Sequence, residues 1–550
     1  MADNRSIGEY LADALAERGV RHVFGYPGDF ILGFFKIGAA RGLTMVNSTR
    51  EEAAAYAADG YARENNLGAV AVTFGVGALA PLAALGGANA ERVPVVLIAG
   101  GPGLGERDGR HIHHMPSDNV ATPRRMAAEI TERAVLLDDP ERAFETIDET
   151  IDACVRSLRP VFIEVPRDQF DVRPTEVWRH PNRAAPRTAH ADLDAAAIAD
   201  LVATVDAAER PIIWSGVRVL RRGCGDRVIK LAERIGAPIV ESIMGKGSVP
   251  EDHPLVLGIY SGATTSHERL KEIVEGSDCV IELGVENNDI NCGAFSVRVP
   301  LDRSVEMTSD LRIGYRIYPD VPMIVALEGL LAAGPRGRGE PEELPHSWAT
   351  PDAGASGRLT TDQITELVEE FLVPDDILTV DVGAVAHLTI DIRLAATRQL
   401  HINRYYVGMG FAVPAATGAA LARGTGRPIV LVGDGSFQMT GFDLSTAIRY
   451  GIRPIVLVLD NDGLTTERAI ADGPFNDIAK WDYAAVGEVV GASGIRVDTG
   501  SDLKAALARA RSEPDRAWII SMEVGQHDYP RPLRELGKGL ATLMHEAGGN

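Results

Sequence analysis

A glycine-bracketed aspartate, Gly433-Asp434-Gly435, precedes a helix-length segment, DLSTAIRYG, and a strand-length apolar run, PIVLVLD, that ends on Asn461 and Asp462-Gly463. Another apolar run, PIVLV, leads into the first motif. If both runs are neighbouring parallel strands, Asp434 and Asn461 stand side by side at one sheet edge. One carboxylate, one amide oxygen and a backbone carbonyl at Gly463 make a hard, all-oxygen site. That donor set suits Mg2+ or Ca2+, with water or phosphate oxygens in the remaining positions. A diphosphate with a divalent cation fits the charge balance. Gly433 and Gly435 let the backbone turn tightly and approach a ligand, with Ser436 following. Either turn alone could simply reverse the chain, since Gly and Asp dominate turns. The pair at this spacing is the specific signal.

Two further clusters carry titratable groups. Glu51 and Glu52 open NSTREEAAAYAADGYAR, where paired glutamates ordinarily mark a solvated helix face. His111, His113 and His114 crowd ERDGRHIHHMPSD. Histidine is the usual proton carrier near neutral pH, although such a run alone also fits a surface loop. The four cysteines, Cys154, Cys224, Cys279 and Cys292, form no CxxC pair, which argues against a zinc cluster and for a reduced, cytoplasmic setting.

The elements that must position these groups read as alternating strands and helices. Ser6 and Glu9 make a capping box ahead of YLADALAERGV. HVFGY, AVAVTF, VPVVLIAG and PVFIEVP are buried-strand runs separated by helical segments, the pattern of a parallel sheet covered on both faces. A polar passage at 171–190 reads as a linker. PIIWSGV, APIVES and CVIELGV belong to a second such block, which closes near PMIVALEGLLAAG. A second Pro/Gly-rich passage, from Pro335 to Gly357, leads to a third block with DILTVDVG, RPIVLVGDG, RPIVLVLDNDG and AWIISMEV. In such sheets ligands sit at the carboxyl ends of strands. The expected organisation is α/β, with three doubly wound parallel-sheet domains at 1–180, 190–338 and 356–550.

The chain has 550 residues, 45% of them apolar and 24% charged, with a net charge of -22. That acidity argues against nucleic-acid or anionic-membrane partners. The uncharged stretch 66–90 holds glycines and a proline, so it reads as strand, turn and helix rather than a membrane span. MADNRSIGEY has no basic and apolar leader pattern, so no secretory signal is expected.

With these motifs in place, the chain resembles the thiamine-diphosphate-dependent enzymes. Their metal motif runs from Gly-Asp-Gly to an Asn pair. Here Asp460 stands where Asn is common, a position not expected to ligate. The resemblance implies thiamine diphosphate and Mg2+ as cofactors, with Asp434, Asn461 and the Gly463 carbonyl on the metal. It implies that Glu51 partners the pyrimidine ring nitrogen. Protonation there acidifies the exocyclic amine, whose imino form takes the thiazolium proton to give a nucleophilic ylid. Met409, in YYVGMGFAVPAATGAALA, falls where a bulky apolar residue props the cofactor, with backbone at Val407 and Met409 near the pyrimidine. Ala384 and Val385 replace polar residues expected near the diphosphate, and His387 is a candidate to compensate. Glu51 and Asp434 lie in different blocks, and the family places the cofactor between subunits. A homodimer at least, and a homotetramer, are implied.

Asp29 in GYPGDFILGFF, the paired His113 and His114, and Glu467 in GLTTERAIADG resemble the 2-keto acid decarboxylases of the pyruvate, indolepyruvate and phenylpyruvate types. ESIMGKGSVPEDHPLVLGIYSG looks similar to the same group. The implied reaction is non-oxidative decarboxylation of a 2-keto acid to an aldehyde and CO2, with Asp29, His113, His114 and Glu467 relaying protons. TTERAIADG and Leu464, where tyrosine is frequent, point to an aromatic or branched substrate. An acetolactate-synthase-type carboligase and a non-catalytic regulatory protein of the same fold are the competing expectations.

Overall fold

The computed structural model describes residues 4–108, 111–175, 178, 191–265, 267–334 and 357–534. The passages read as linkers fall largely outside these residues.

Strands β1 (His22–Gly25), β2 (Thr44–Asn47), β3 (Gly68–Val72), β4 (Val95–Gly101), β5 (Arg133–Leu136) and β6 (Val161–Pro166) form a parallel sheet in the order β2-β1-β3-β4-β6-β5. The second sheet contains β7 (Pro211–Ser215), β8 (Ile239–Glu241), β9 (Val256–Ile259), β10 (Cys279–Leu283), β11 (Ser304–Met307), β12 (Leu311–Ile313) and β13 (Arg316–Tyr318), ordered β13-β12-β11-β10-β7-β8-β9. The third has β14 (Ile377–Val380), β15 (Leu400–Ile402), β16 (Pro428–Gly433), β17 (Ile455–Asp460), β18 (Ser493–Val497) and β19 (Trp518–Glu523), ordered β15-β14-β16-β17-β19-β18.

The first and third sheets therefore share one topology, and every pairing in them is parallel. Their central strands are buried along nearly their whole length, which explains why they read as unbroken apolar runs. The middle sheet is parallel except for β12 and β13, which add an antiparallel edge through a turn at Gly314 (φ +57°). Strands this short carry too little periodicity to be seen in sequence.

The expected capping box is present: the Ser6 amide donates to Glu9 Oε2 at 2.7 Å, and the Glu9 amide donates to Ser6 Oγ at 3.3 Å. The stretch 66–90 folds as β3, a turn and the helices Val76–Leu79 and Leu82–Ala90. Among the described residues no helix is long and apolar enough to cross a membrane.

The first and third domains meet through two equivalent helices, Glu51–Asn65 after β2 and Ala412–Arg423 after β15. Alanines and glycines line the contact, so the backbones nearly touch. A Cβ on Gly60 would lie 2.1 Å from the Ala415 carbonyl oxygen, and one on Gly418 would lie 1.8 Å from that of Ala57. Buried ionic groups tie the same seam. Arg63 pairs with Asp59 and donates to the Ile402 carbonyl at 2.7 Å. Glu64 pairs with His401 and Arg423.

Candidate active site

In a 2-1-3-4 strand order the crevice opens at the carboxyl ends of strands 1 and 3, where the winding reverses direction. In the third domain these are β14 and β16. A cavity of about 510 Å3 lies there, closed on its far side by the middle domain through Ile243, Ile259, Ile290 and Ala294. Ala384, Val407, Met409, Gly433, Asp434, Gly435, Ser436, Asn461, Gly463 and Glu467 all line it. The third-domain motifs thus converge on one space.

Asp434 departs from the expected turn. Gly433 ends β16 and Asp434 already begins the helix Asp434–Thr440. The carboxylate is 2% exposed and accepts from the amides of Gly435 at 2.7 Å, Gly463 at 3.1 Å and Asn461 at 3.2 Å. Those bonds bring the β17 turn onto the β16 turn. Burial pushes the Asp434 carboxyl up to about 6, against the pull of the three amides.

Asn461 donates through Nδ2 to Thr465 Oγ1 at 2.5 Å. Its Oδ1 is buried with no hydrogen-bond partner among the described residues. A buried amide oxygen is normally satisfied, so this unpartnered acceptor fits the role of a cation ligand. Gly463 sits at φ +145°, and a Cβ there would lie 2.2 Å from the Asn476 carbonyl oxygen. Only glycine fits at that position. Mg2+ suits this donor set, and a phosphate oxygen would complete it.

Asp381, which sequence reasoning did not single out, organises the neighbouring loop. It is fully buried after β14. Its Oδ1 accepts from the Gly410 amide at 3.1 Å and from Val382 at 3.0 Å, and its Oδ2 accepts from Ala412 at 2.9 Å. This fixes the segment that carries Val407, at φ +52°, and Met409. Met409 Cε lies 3.5 Å from a Cβ position at Gly435. A detectable signal existed: Asp381 follows an apolar strand in DILTVDVG, just as Asp434 follows PIVLVG.

The other four expected residues lie elsewhere in the chain. Asp29, Glu51, His113 and His114 gather at the corresponding crevice of the first domain, at the ends of β1 and β3. Glu51 opens the helix after β2, its Oε1 3.6 Å from a Cβ position at Gly77. Asp29 Oδ2 is 2.7 Å from His113 Nε2, and Oδ1 is 3.7 Å from His114 Nε2. Thr73 Oγ1 donates to Asp29 Oδ1 at 3.3 Å. Partial burial works to raise the Asp29 carboxyl, but the His113 hydrogen bond and both imidazoles bring it below its usual value. The two rings stack edge to face, 4.6 Å apart, with Phe30 5.0 Å from His113. His114 holds φ +70°, and its carbonyl presses on Gly75, where a Cβ would lie 1.7 Å away. Asp29, His113 and His114 are exposed in the isolated chain.

Each terminal domain so gathers a cluster of polar groups at the same topological position. Residues 5–122 match the thiamine pyrophosphate enzyme N-terminal TPP binding domain, 198–333 the central domain and 381–521 the C-terminal TPP binding domain. Indole-3-pyruvate decarboxylase of Azospirillum brasilense is 32% identical over 94% of each chain. Pyruvate decarboxylase of Aspergillus terreus is 33% identical over 96% of this chain and 95% of its own. Pyruvate decarboxylase isozyme 1 of Saccharomyces cerevisiae is 30% identical over 97% and 98%.

The chain belongs to the thiamine-diphosphate-dependent 2-keto acid decarboxylase family.

Each of the two crevices lies in a domain that matches a TPP binding domain. The first domain is the family's N-terminal cofactor-binding unit and the third its C-terminal one.

Proposed function

We propose that this protein decarboxylates a 2-keto acid to an aldehyde and CO2, with its site assembled from two copies of the chain. The cavity of one copy binds Mg2+ through Asp434, Asn461 Oδ1 and the Gly463 carbonyl. Met409 and the Val407 backbone support the cofactor's rings. The partner copy brings Glu51 to the pyrimidine. It also brings Asp29, His113 and His114 over the mouth of the cavity, opposite Glu467. Bound thiamine diphosphate supplies the nucleophilic carbon and the electron sink.

The observation that carries this reading is the division of the polar groups. Glu51 is not among the residues lining the cavity that holds Asp434 and Asn461. Val76 beside the first crevice, and Tyr406, Val407, Met439 and Phe442 beside the second, are exposed apolar residues that a second copy would cover. A homodimer satisfies both facts, and a homotetramer is its doubling.

The Asp29–His113–His114 cluster supports decarboxylation. An aldehyde product requires protonation after CO2 leaves, and imidazoles hydrogen-bonded to a carboxylate can hold and deliver that proton. Closing the cavity excludes water, which favours loss of charge as CO2. The walls formed by Ile243, Ile259, Ile290, Ala294 and Ile390 suit an aromatic or branched side chain rather than a methyl group.

Purified protein with thiamine diphosphate and Mg2+, presented with a panel of 2-keto acids, should release CO2 and the matching aldehyde. The highest kcat/KM is expected for aromatic or branched members. Carbon–carbon ligation as the dominant outcome would favour a carboligase. Cofactor binding with no CO2 from any acid would make it a regulatory protein.

A further inference from the structure

Among the described residues, Asp29, His113 and His114 are the one group of three or more His, Cys, Asp or Glu side chains whose ligand atoms all lie within 4.8 Å of one another. Asp29 Oδ2 stands 2.7 Å from His113 Nε2, and Asp29 Oδ1 stands 3.7 Å from His114 Nε2. A tetrahedral ion with ligands at about 2.0–2.2 Å sets its ligand atoms about 3.3–3.5 Å apart. The two observed separations bracket that spacing, so small side-chain rotations close all three groups on one cation.

The three groups come from two loops, each held by contacts of its own. Thr73, directly after β3, donates to Asp29 Oδ1 at 3.3 Å, the kind of outer hydrogen bond that fixes a ligating carboxylate. His114 keeps a left-handed backbone, φ +70°, with its carbonyl in the space that Gly75 leaves. Few residue types other than glycine tolerate that conformation, and His is one of them. The Phe30 ring lies 5.0 Å from His113 and 6.2 Å from His114, so one aromatic side chain backs both imidazoles. Arg167 sits 5.0 Å from the same ring, and Glu106 pairs with its charge.

We propose that Asp29, His113 and His114 form a second cation site, separate from the one at Asp434, that takes Zn2+ and thereby stops turnover. Two imidazole nitrogens and one carboxylate oxygen are donors that Zn2+ prefers, with a fourth position left for water. Mg2+ and Ca2+ prefer oxygen alone, which is what Asp434, Asn461 and the Gly463 carbonyl offer. The two sites therefore sort cations by donor chemistry. A Zn2+ ion on His113 and His114 occupies the nitrogens that would otherwise hold and deliver a proton. Excess Mg2+ does not relieve such inhibition, because it competes poorly for imidazole. The effect on turnover rests on the proposed reading of these residues as proton carriers, whereas the binding does not.

The test is calorimetric titration of Zn2+ into the full chain in Mg2+ and thiamine diphosphate, with CO2 release followed in parallel. Wild type should bind one Zn2+ per chain and lose CO2 release in step, with no recovery on raising Mg2+. Asp29→Asn, His113→Gln and His114→Asn should each weaken Zn2+ binding at least about tenfold. Asn at position 114 keeps the tolerance for a left-handed backbone. His111→Ala should bind as wild type does, since His111 lies outside the group. No Zn2+ binding by wild type, or equal binding by wild type and the three ligand variants, would overturn the proposal. So would inhibition that Mg2+ reverses, which would put the Zn2+ at Asp434. Zn2+ bound at the site with CO2 release undiminished would uphold the site and overturn the histidines as proton carriers. A chain that binds Zn2+ there and releases CO2 from no 2-keto acid would uphold the site and overturn the proposed function.

Discussion

Asp381 and Gly410 are joined across the ends of neighbouring strand segments by a 3.1 Å hydrogen bond from the Gly410 amide to Asp381 Oδ1. With the Ala412 and Val382 amides on the same carboxylate, one buried side chain anchors the loop that presents Val407 and Met409. Asp381→Ala leaves three amides without their acceptor. It should cost about 3 kcal/mol or more, read as a lower midpoint of denaturant unfolding, and it should weaken cofactor affinity. Asp381→Asn keeps one acceptor oxygen and should be milder. Equal stability of wild type and the alanine variant would show that the loop is held by other contacts.

The Asp434 carboxyl gives a pH dependence to metal binding. Burial raises it from an ordinary 3.8 to about 6, so folding without metal favours its protonated form. That contribution to stability is full below about pH 4 and is lost as pH rises through about 6. A cation must displace the proton below pH 6. The Mg2+ affinity measured through cofactor binding should therefore fall about tenfold per pH unit below 6 and level off above it. Asp434→Asn should weaken binding and flatten the slope. A pH-independent affinity in the wild type would contradict the assignment.

Gly418 tests the seam between the first and third domains. A side chain there must displace the backbone of Ala57. Gly418→Val should destabilise the chain by about 3 kcal/mol and uncouple unfolding of the two terminal domains, seen as a broadened or split thermal transition. A single transition at the wild-type temperature would show that the helices are free to separate without cost.

What was legible in the sequence follows from range. Apolar runs announce buried strands because each run is local. The Gly-Asp-Gly and Asn motifs stand out because one helix and one strand separate them, so spacing alone implies adjacency. Asp381 escaped notice, since its meaning comes from amides supplied by distant segments. Nothing local to Gly60 or Gly418 signals that each is required by the other helix's backbone. The β12–β13 hairpin was too short for its alternation to register. Glu51 could be tied to Asp434 only through family resemblance, because no periodicity speaks of a second subunit.

That tie is open to direct measurement by subunit mixing. Glu51→Gln and Asp434→Ala homodimers should each lose activity by at least about a hundredfold. When the two variants are co-assembled, each hybrid dimer has one site with both residues intact, so CO2 release should return to about half of wild type per hybrid. Hybrid dimers, isolated by two different affinity tags, that remain as inactive as either parent would contradict a site shared between two chains.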